Sequence, residues 1–168
     1  MKISTEAKEF IEAQGIFVVG TVGQSIIPNI SPRIFFRVDD EGIYWIDFFK
    51  HKSFRNCQIN PWVTISVFNK EELKGYQFRG IISFITDEPT KSQIRESIIK
   101  KTLERNISSK VKEMSKKEGQ IIHFEPTVCY SLILKSIVIC VQMLTLTVRR
   151  FLRILVSKLH YFVFRSFF

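Results

Sequence analysis

Residues 43–61 read IYWIDFFKHKSFRNCQINP, and no other stretch restricts the fold as much. Ile43–Phe49 is aromatic and β-branched, which suits a buried strand. Lys50-His51-Lys52-Ser53 then opens a short helix with Phe54, Cys57 and Ile59 on its apolar face, and Asn60-Pro61 stops it. A strand that runs straight into a helix sets free N–H groups and the positive end of the macrodipole beside Lys50, His51, Lys52 and Ser53. Such a spot suits a phosphate. A serine near a helix start is also common as a plain cap on an exposed basic corner. Spacing alone leaves both readings standing.

Around this stretch the chain alternates like a sheet protein. Ser4–Gln14 is expected to be a short helix, with Ala7, Phe10 and Ile11 at helical spacing and Gly15 as its stop. Strands are predicted at 16–22, 28–38, 43–49, 62–68, 75–86 and 120–132, the last broken at Pro126. Pro28 and Pro32 place the second strand at an edge or a bulge, because each removes a ladder donor. Asp39-Asp40-Glu41-Gly42 reads as a hairpin turn. From Pro89 a helical region puts Ile94, Ile98, Ile99 and Leu103 on one face, and a second piece covers 108–117. Hairpin-linked strands with helices early and late predict a mainly β fold, a small closed or nearly closed six-stranded barrel.

The charge needs dividing before it is interpreted. Of the formal net charge of +9, the last 36 residues carry +6 and no acid, which leaves +3 for the rest. A basic balance is therefore weak support for nucleic-acid binding by the body of the protein. Ile137–Val148 is an apolar run between Lys135 and Arg149-Arg150, shorter than the ~20 residues a bilayer span takes. Residues 132–168 are read as an apolar, basic tail, either an extension foreign to the domain or a membrane-surface segment. Cys57, Cys129 and Cys140 share no metal-like spacing, and Met1–Glu6 leads into a charged amphipathic stretch rather than a secretory segment. No metal is expected, and a reduced cytoplasmic setting is.

Four segments together carry a likeness: Gly20-Thr21-Val22-Gly23; Pro28-Asn29-Ile30-Ser31-Pro32-Arg33; His51-Lys52-Ser53 with Asn56 and Asn60-Pro61; and Gly75-Tyr76-Gln77-Phe78-Arg79-Gly80. In order and spacing the chain resembles the FMN-binding split-barrel family, the pyridoxamine 5'-phosphate oxidase-like flavoproteins. The resemblance implies a Greek-key split barrel over residues 1–131 and a homodimer with FMN in the clefts between two barrels. It also implies the site. Lys52 and Ser53 match positions that hold the FMN phosphate, with Asn56 and Arg55 beside them. Ser31, Pro32 and Arg33 match the strand along the isoalloxazine ring, and Asp47 and Phe48 the strand end at its polar edge. Gln77, from the same subunit or the facing one, is a further contact. The plain alternatives are a solvated strand residue for Arg33 and a turn or cap partner for Asp47. The chain departs from the family at the Gln24-Ser25-Ile26-Ile27 turn and beyond Tyr130-Ser131, and it lacks the basic C-terminal signature of a true pyridoxamine phosphate oxidase.

The expected function is an FMN-dependent oxidoreductase acting on a small molecule. No Ser–His–Asp set, carboxylate pair or metal cluster competes, and the catalytic residues stay open because the flavin would carry the chemistry. A non-catalytic FMN carrier or electron-transfer module would use the same cofactor residues. A small basic barrel binding single-stranded nucleic acid through Arg33, Arg37, Lys50, Lys52 and Arg55 is the reading from another class, marked by steep salt dependence.

Overall fold

The computed structural model describes residues 1–106 and 108–133. Their elements run α1 (Thr5–Gln14), β1 (Phe17–Val22), β2 (Pro28–Arg33), β3 (Phe36–Val38), β4 (Ile43–Asp47), α2 (Lys52–Ile59), β5 (Trp62–Asn69), β6 (Lys74–Phe84), α3 (Glu88–Arg105), α4 (Ser109–Ser115) and β7 (Gln120–Ile133). The strands form one seven-stranded sheet in the order β2-β1-β5-β6-β7-β4-β3. Its two edge strands, β2 and β3, are consecutive in the chain. The sheet therefore curls until its edges meet at Ile34-Phe35, which is a barrel with a seam.

The fold class is as expected, and the strand count differs by one. Pro28–Val38 does not form a single strand. β2 pairs with β1 as far as Arg33, and β3 pairs with β4 from Phe36 onward. Phe35 and Phe36 explain the break. Both are buried, yet Phe36 packs inside the barrel and Phe35 in a separate cluster under the helices. The chain changes ladder between them. Pro126 does not interrupt β7, because the pairing of β7 with β4 already stops at Phe124 and that ladder asks no N–H of residue 126.

Two cores result. The barrel interior holds Phe17, Val19, Phe36, Trp45, Ile65, Phe78 and Phe124, with Ala7, Phe10 and Ile11 of α1 added. Ser4 caps α1 by accepting from the Ala7 N–H, and Gly15 ends it at φ 64. The second core lies outside the barrel wall, where Tyr44, Ile46 and Ile121 meet Ile94 and Ile98 of α3 and Val111 of α4. Asp87 starts α3 by accepting from Thr90 N–H. Because β4 lies between the two cores, all five of its residues are buried. Its unbroken apolar run reflects that double coverage. β5 is covered on one face only, and Trp62 and Phe68 face outward. Among the described residues no helix is long and apolar enough to cross a membrane. The readings of the tail fall outside the described residues, apart from its first two positions.

One buried base gives the fold a pH dependence. His123 stacks on Tyr44 at 4.3 Å between centroids, and Arg37 lies 4.8 Å over the same tyrosine ring. Its Nε2 is buried without a partner. Burial pushes the His123 pKa below its ordinary value, against the weaker pull of Asp39, Glu125 and Glu41. The folded protein thus resists a proton that the unfolded chain accepts. Stability is full above the unfolded pKa of about 6.5 and falls as pH drops through the folded one. Urea midpoints of the wild type should decline in this window, while those of His123→Phe should stay flatter. Parallel curves would remove His123 from the account.

Candidate functional site

The corner between β4 and α2 is shaped by one carboxylate. Asp47 ends β4, and its Oδ2 accepts from Arg33 Nη2 at 2.9 Å. Its Oδ1 accepts from the backbone N–H groups of Lys50 at 2.9 Å and Phe49 at 3.3 Å. The turn carries Lys50 at φ 47, a left-handed conformation that a residue with a Cβ adopts only under such constraint. Asp47 is buried and Arg33 largely so, and the buried Arg33 Nε has no partner. Burial lowers the Arg33 pKa, with Asp47 opposing. It also raises the neighbouring Cys57 thiol to about 11.

α2 then begins. His51 occupies the N-cap position but makes no side-chain hydrogen bond, so the first-turn N–H groups have no capping side chain. Ser53 points inward, where its Oγ accepts from Asn29 Nδ2 at 2.7 Å and shares a hydrogen with Ser31 Oγ at 2.6 Å. Asn56, one turn on, donates from Nδ2 to Thr21 Oγ1 at 3.1 Å. A Cβ on Gly23 would sit 2.3 Å from Asn56 Oδ1, so only glycine allows this approach. Lys52 and Arg55 stay exposed on the outer side of α2.

The ten residues expected at the site divide accordingly. Ser31 and Ser53 share one polar cluster, and Arg33 and Asp47 form the ion pair beneath the turn. Asp47 here acts as a turn partner, and Arg33 is a largely buried strut rather than a solvated strand residue. Lys52 and Arg55 flank the helix start, while Asn56 braces the β1–β2 turn. Pro32 is exposed on the opposite face of β2. Phe48 packs edge-on against Phe35 at 4.9 Å. Gln77 is elsewhere: it lines an outer groove of about 470 Å³ with Val18, Ile30, Trp62, Ser66 and Arg79. Of the residues at the corner, only Thr21, the partner of Asn56, also lines that groove. Asn29 and Thr21 belong to the cluster and were not expected. Period two was the available signal, since Asn29 shares a strand face with Ser31 and lies opposite Thr21 in register.

A pre-shaped turn leads to an uncapped helix start with a lysine and three polar side chains. The pyridoxamine 5'-phosphate oxidase family profile matches residues 3–132. The chain belongs to that family. HupZ of Group A Streptococcus is 22% identical over 77% of this chain and 94% of its own, with a TM-score of 0.61. HutZ, the heme storage protein from Vibrio cholerae, is 21% identical over 77% and 94%, with a TM-score of 0.59. An F420 reductase is 19% identical over 76% and 98%, also at 0.59. At these identities the likeness shows the fold. No curated protein matches the chain significantly. Among the described residues no cluster of His, Cys, Asp and Glu could hold a metal ion.

The ion pair can be tested directly. Asp47→Asn strands the Arg33 charge in a largely buried site and should destabilise the protein by about 3 kcal/mol in urea unfolding. Adding Arg33→Met removes the stranded charge and should recover much of that loss. Additive losses would mean that the two side chains act independently.

Proposed function

We propose that residues 1–131 form a flavin domain that binds FMN non-covalently, with the phosphate at the Lys52–Ser53 corner, and that the protein is an oxidoreductase acting on a small molecule. The observation that carries this reading is the uncapped start of α2. Its first-turn N–H groups lack a capping side chain, the exposed Lys52 ammonium lies at the same turn, and Ser53, tied to Asn29 and Ser31, anchors that turn from the inner side. Arg55 adds positive charge beside them. Family membership supports a flavin, and FMN supplies hydride or electron transfer when bound. The chain's own residues bind and orient it: Lys52 and Ser53 take the phosphate, and β2 from Ser31 to Arg33 with the Asp47-Phe48 strand end lies along the ring system. Asn56 holds α2 in place for that contact. A cytoplasmic setting fits a chain whose described cysteines are free.

We also propose a homodimer. Ile30, Trp62 and Ile81 are exposed together with Gln77 and Arg79 on the outer sheet face, around the 470 Å³ groove. An apolar patch with a few polar groups is the composition of an interface. Gln77 would there serve the flavin of the second copy.

Lys52→Ala should weaken FMN binding by about 1.5–3 kcal/mol, the loss expected for a charge-assisted hydrogen bond. Flavin fluorescence titration measures it, and unchanged affinity would take the phosphate away from this corner. Trp62→Glu should shift the protein from dimer to monomer in light scattering and lower FMN retention. A dimer that survives the substitution would place the interface elsewhere. Steady oxidation of a reduced nicotinamide by the FMN-loaded protein separates an enzyme from a carrier.

A further inference from the structure

Next to the helix start lies a second feature that the FMN reading does not use. Phe49 is 54% exposed, although it lies only two residues beyond a strand buried at every position. Its ring meets the His51 imidazole at 5.4 Å with a 47° tilt. Lys117 also brings its ammonium within 5.9 Å of the Phe49 centroid. Lone exposed aromatics are ordinary, but this one is held at two points. The Phe49 N–H is held by Asp47, and the Lys117 backbone is pinned where Arg95 Nη2 donates to the carbonyls of Ser115 and Lys117 at 2.8 and 2.9 Å. Among the described residues, neither Lys117 nor Lys52 is ion-paired. The result is a rigid π-face edged by an imidazole and an uncompensated cation.

We propose that Phe49, His51 and Lys117 form a seat for an adenine nucleotide, the base stacking on Phe49 and a phosphate meeting Lys117. The inference rests on the FMN reading of the neighbouring corner. Phe49 precedes Ser53 by four residues, so their Cα atoms are at most ~15 Å apart. An adenylate joined to the flavin phosphate, its own phosphate and ribose reaching outward, falls within that range, and the seat would then take the adenylate half of FAD while the corner holds the flavin half. A free adenine nucleotide offers the same chemistry. Charge complementarity favours either over an apolar or cationic occupant.

The test titrates FMN, FAD and ADP separately into the full chain and into Phe49→Ala and Lys117→Gln, both at exposed positions. The wild type should bind FAD about tenfold more tightly than FMN, as a stacked base implies. Phe49→Ala should abolish that margin and leave FMN affinity unchanged. Lys117→Gln should reduce the margin, with the remainder less sensitive to salt. ADP binding that needs Phe49, without any FAD margin, assigns the seat to a free nucleotide. If FMN binds and Phe49→Ala alters neither FAD nor ADP binding, or alters only the oligomeric state, this inference alone is overturned. If no flavin binds, the FMN reading fails and takes this one with it.

Discussion

The Arg33–Asp47 ion pair joins strands that no ladder joins. β2 stands first in the sheet order and β4 next to last, and the two approach each other only because the sheet curls. Burying two charges is costly, and well-packed apolar residues would often be as stable. What apolar residues could not do is shape the next turn. One Asp47 oxygen ties the seam, and the other takes the two N–H groups that hold Lys50 in the left-handed region. One side chain thus braces the barrel's seam and shapes the turn from which α2 departs.

The sheet is protected unevenly, and that asymmetry leaves one outer face uncovered by any described helix. α3 and α4 cover the outside of β3, β4 and β7 and create the second core. No described helix covers the outside of β1, β5 and β6 in the same way. There the outward positions keep apolar residues: Trp62, Phe68 and Ile81 remain largely exposed. A lone barrel gains nothing by leaving them in water, since each removed from solvent would contribute roughly 1.5–3 kcal/mol. The polar members of the same face, Ser66, Gln77 and Arg79, surround a groove rather than scatter. Arg79 is in turn held by the Tyr130 ring at 5.2 Å. A face with that composition is better suited to a second subunit and a ligand than to bulk water.

Most of the fold was legible because alternation and helix caps are local. Ser4, Gly15 and Pro89 mark helix ends by backbone rules that need no tertiary context, although the structure sets the third start slightly earlier, at the Asp87 cap. The split at Ile34-Phe35 was not legible, because two adjacent phenylalanines look the same whether they enter one core or two. At the site, the Lys52–Ser53 corner could be read from a strand meeting a helix. The role of Asp47 could only be weighed against a turn function, since one carboxylate can serve a strand end, a cap or a distant arginine. Asn29 escaped for the opposite reason. It sits among prolines in a strand that reads as a weak edge, yet the register sets its amide over Ser53. Asn56 was assigned to the correct element, but the local pattern said nothing of the glycine opposite it.

The turn after Gly23 carries a conformation that is unfavourable in an isolated molecule. Ile26 is 83% exposed at φ 53, and Ile27 is 59% exposed. A β-branched residue in the left-handed region costs about 1–2 kcal/mol, and glycine or asparagine would avoid that cost. Gly23 cannot relax the turn by giving way, because Asn56 fills the space beside it. The tip is continuous along the chain with Val22 and Pro28, which line the outer groove. Strain and exposure therefore fall at the margin of the same apolar face. A contact that covers Trp62 and Ile30 reaches this tip without a new surface, and burial would offset the exposure that the bare turn leaves open.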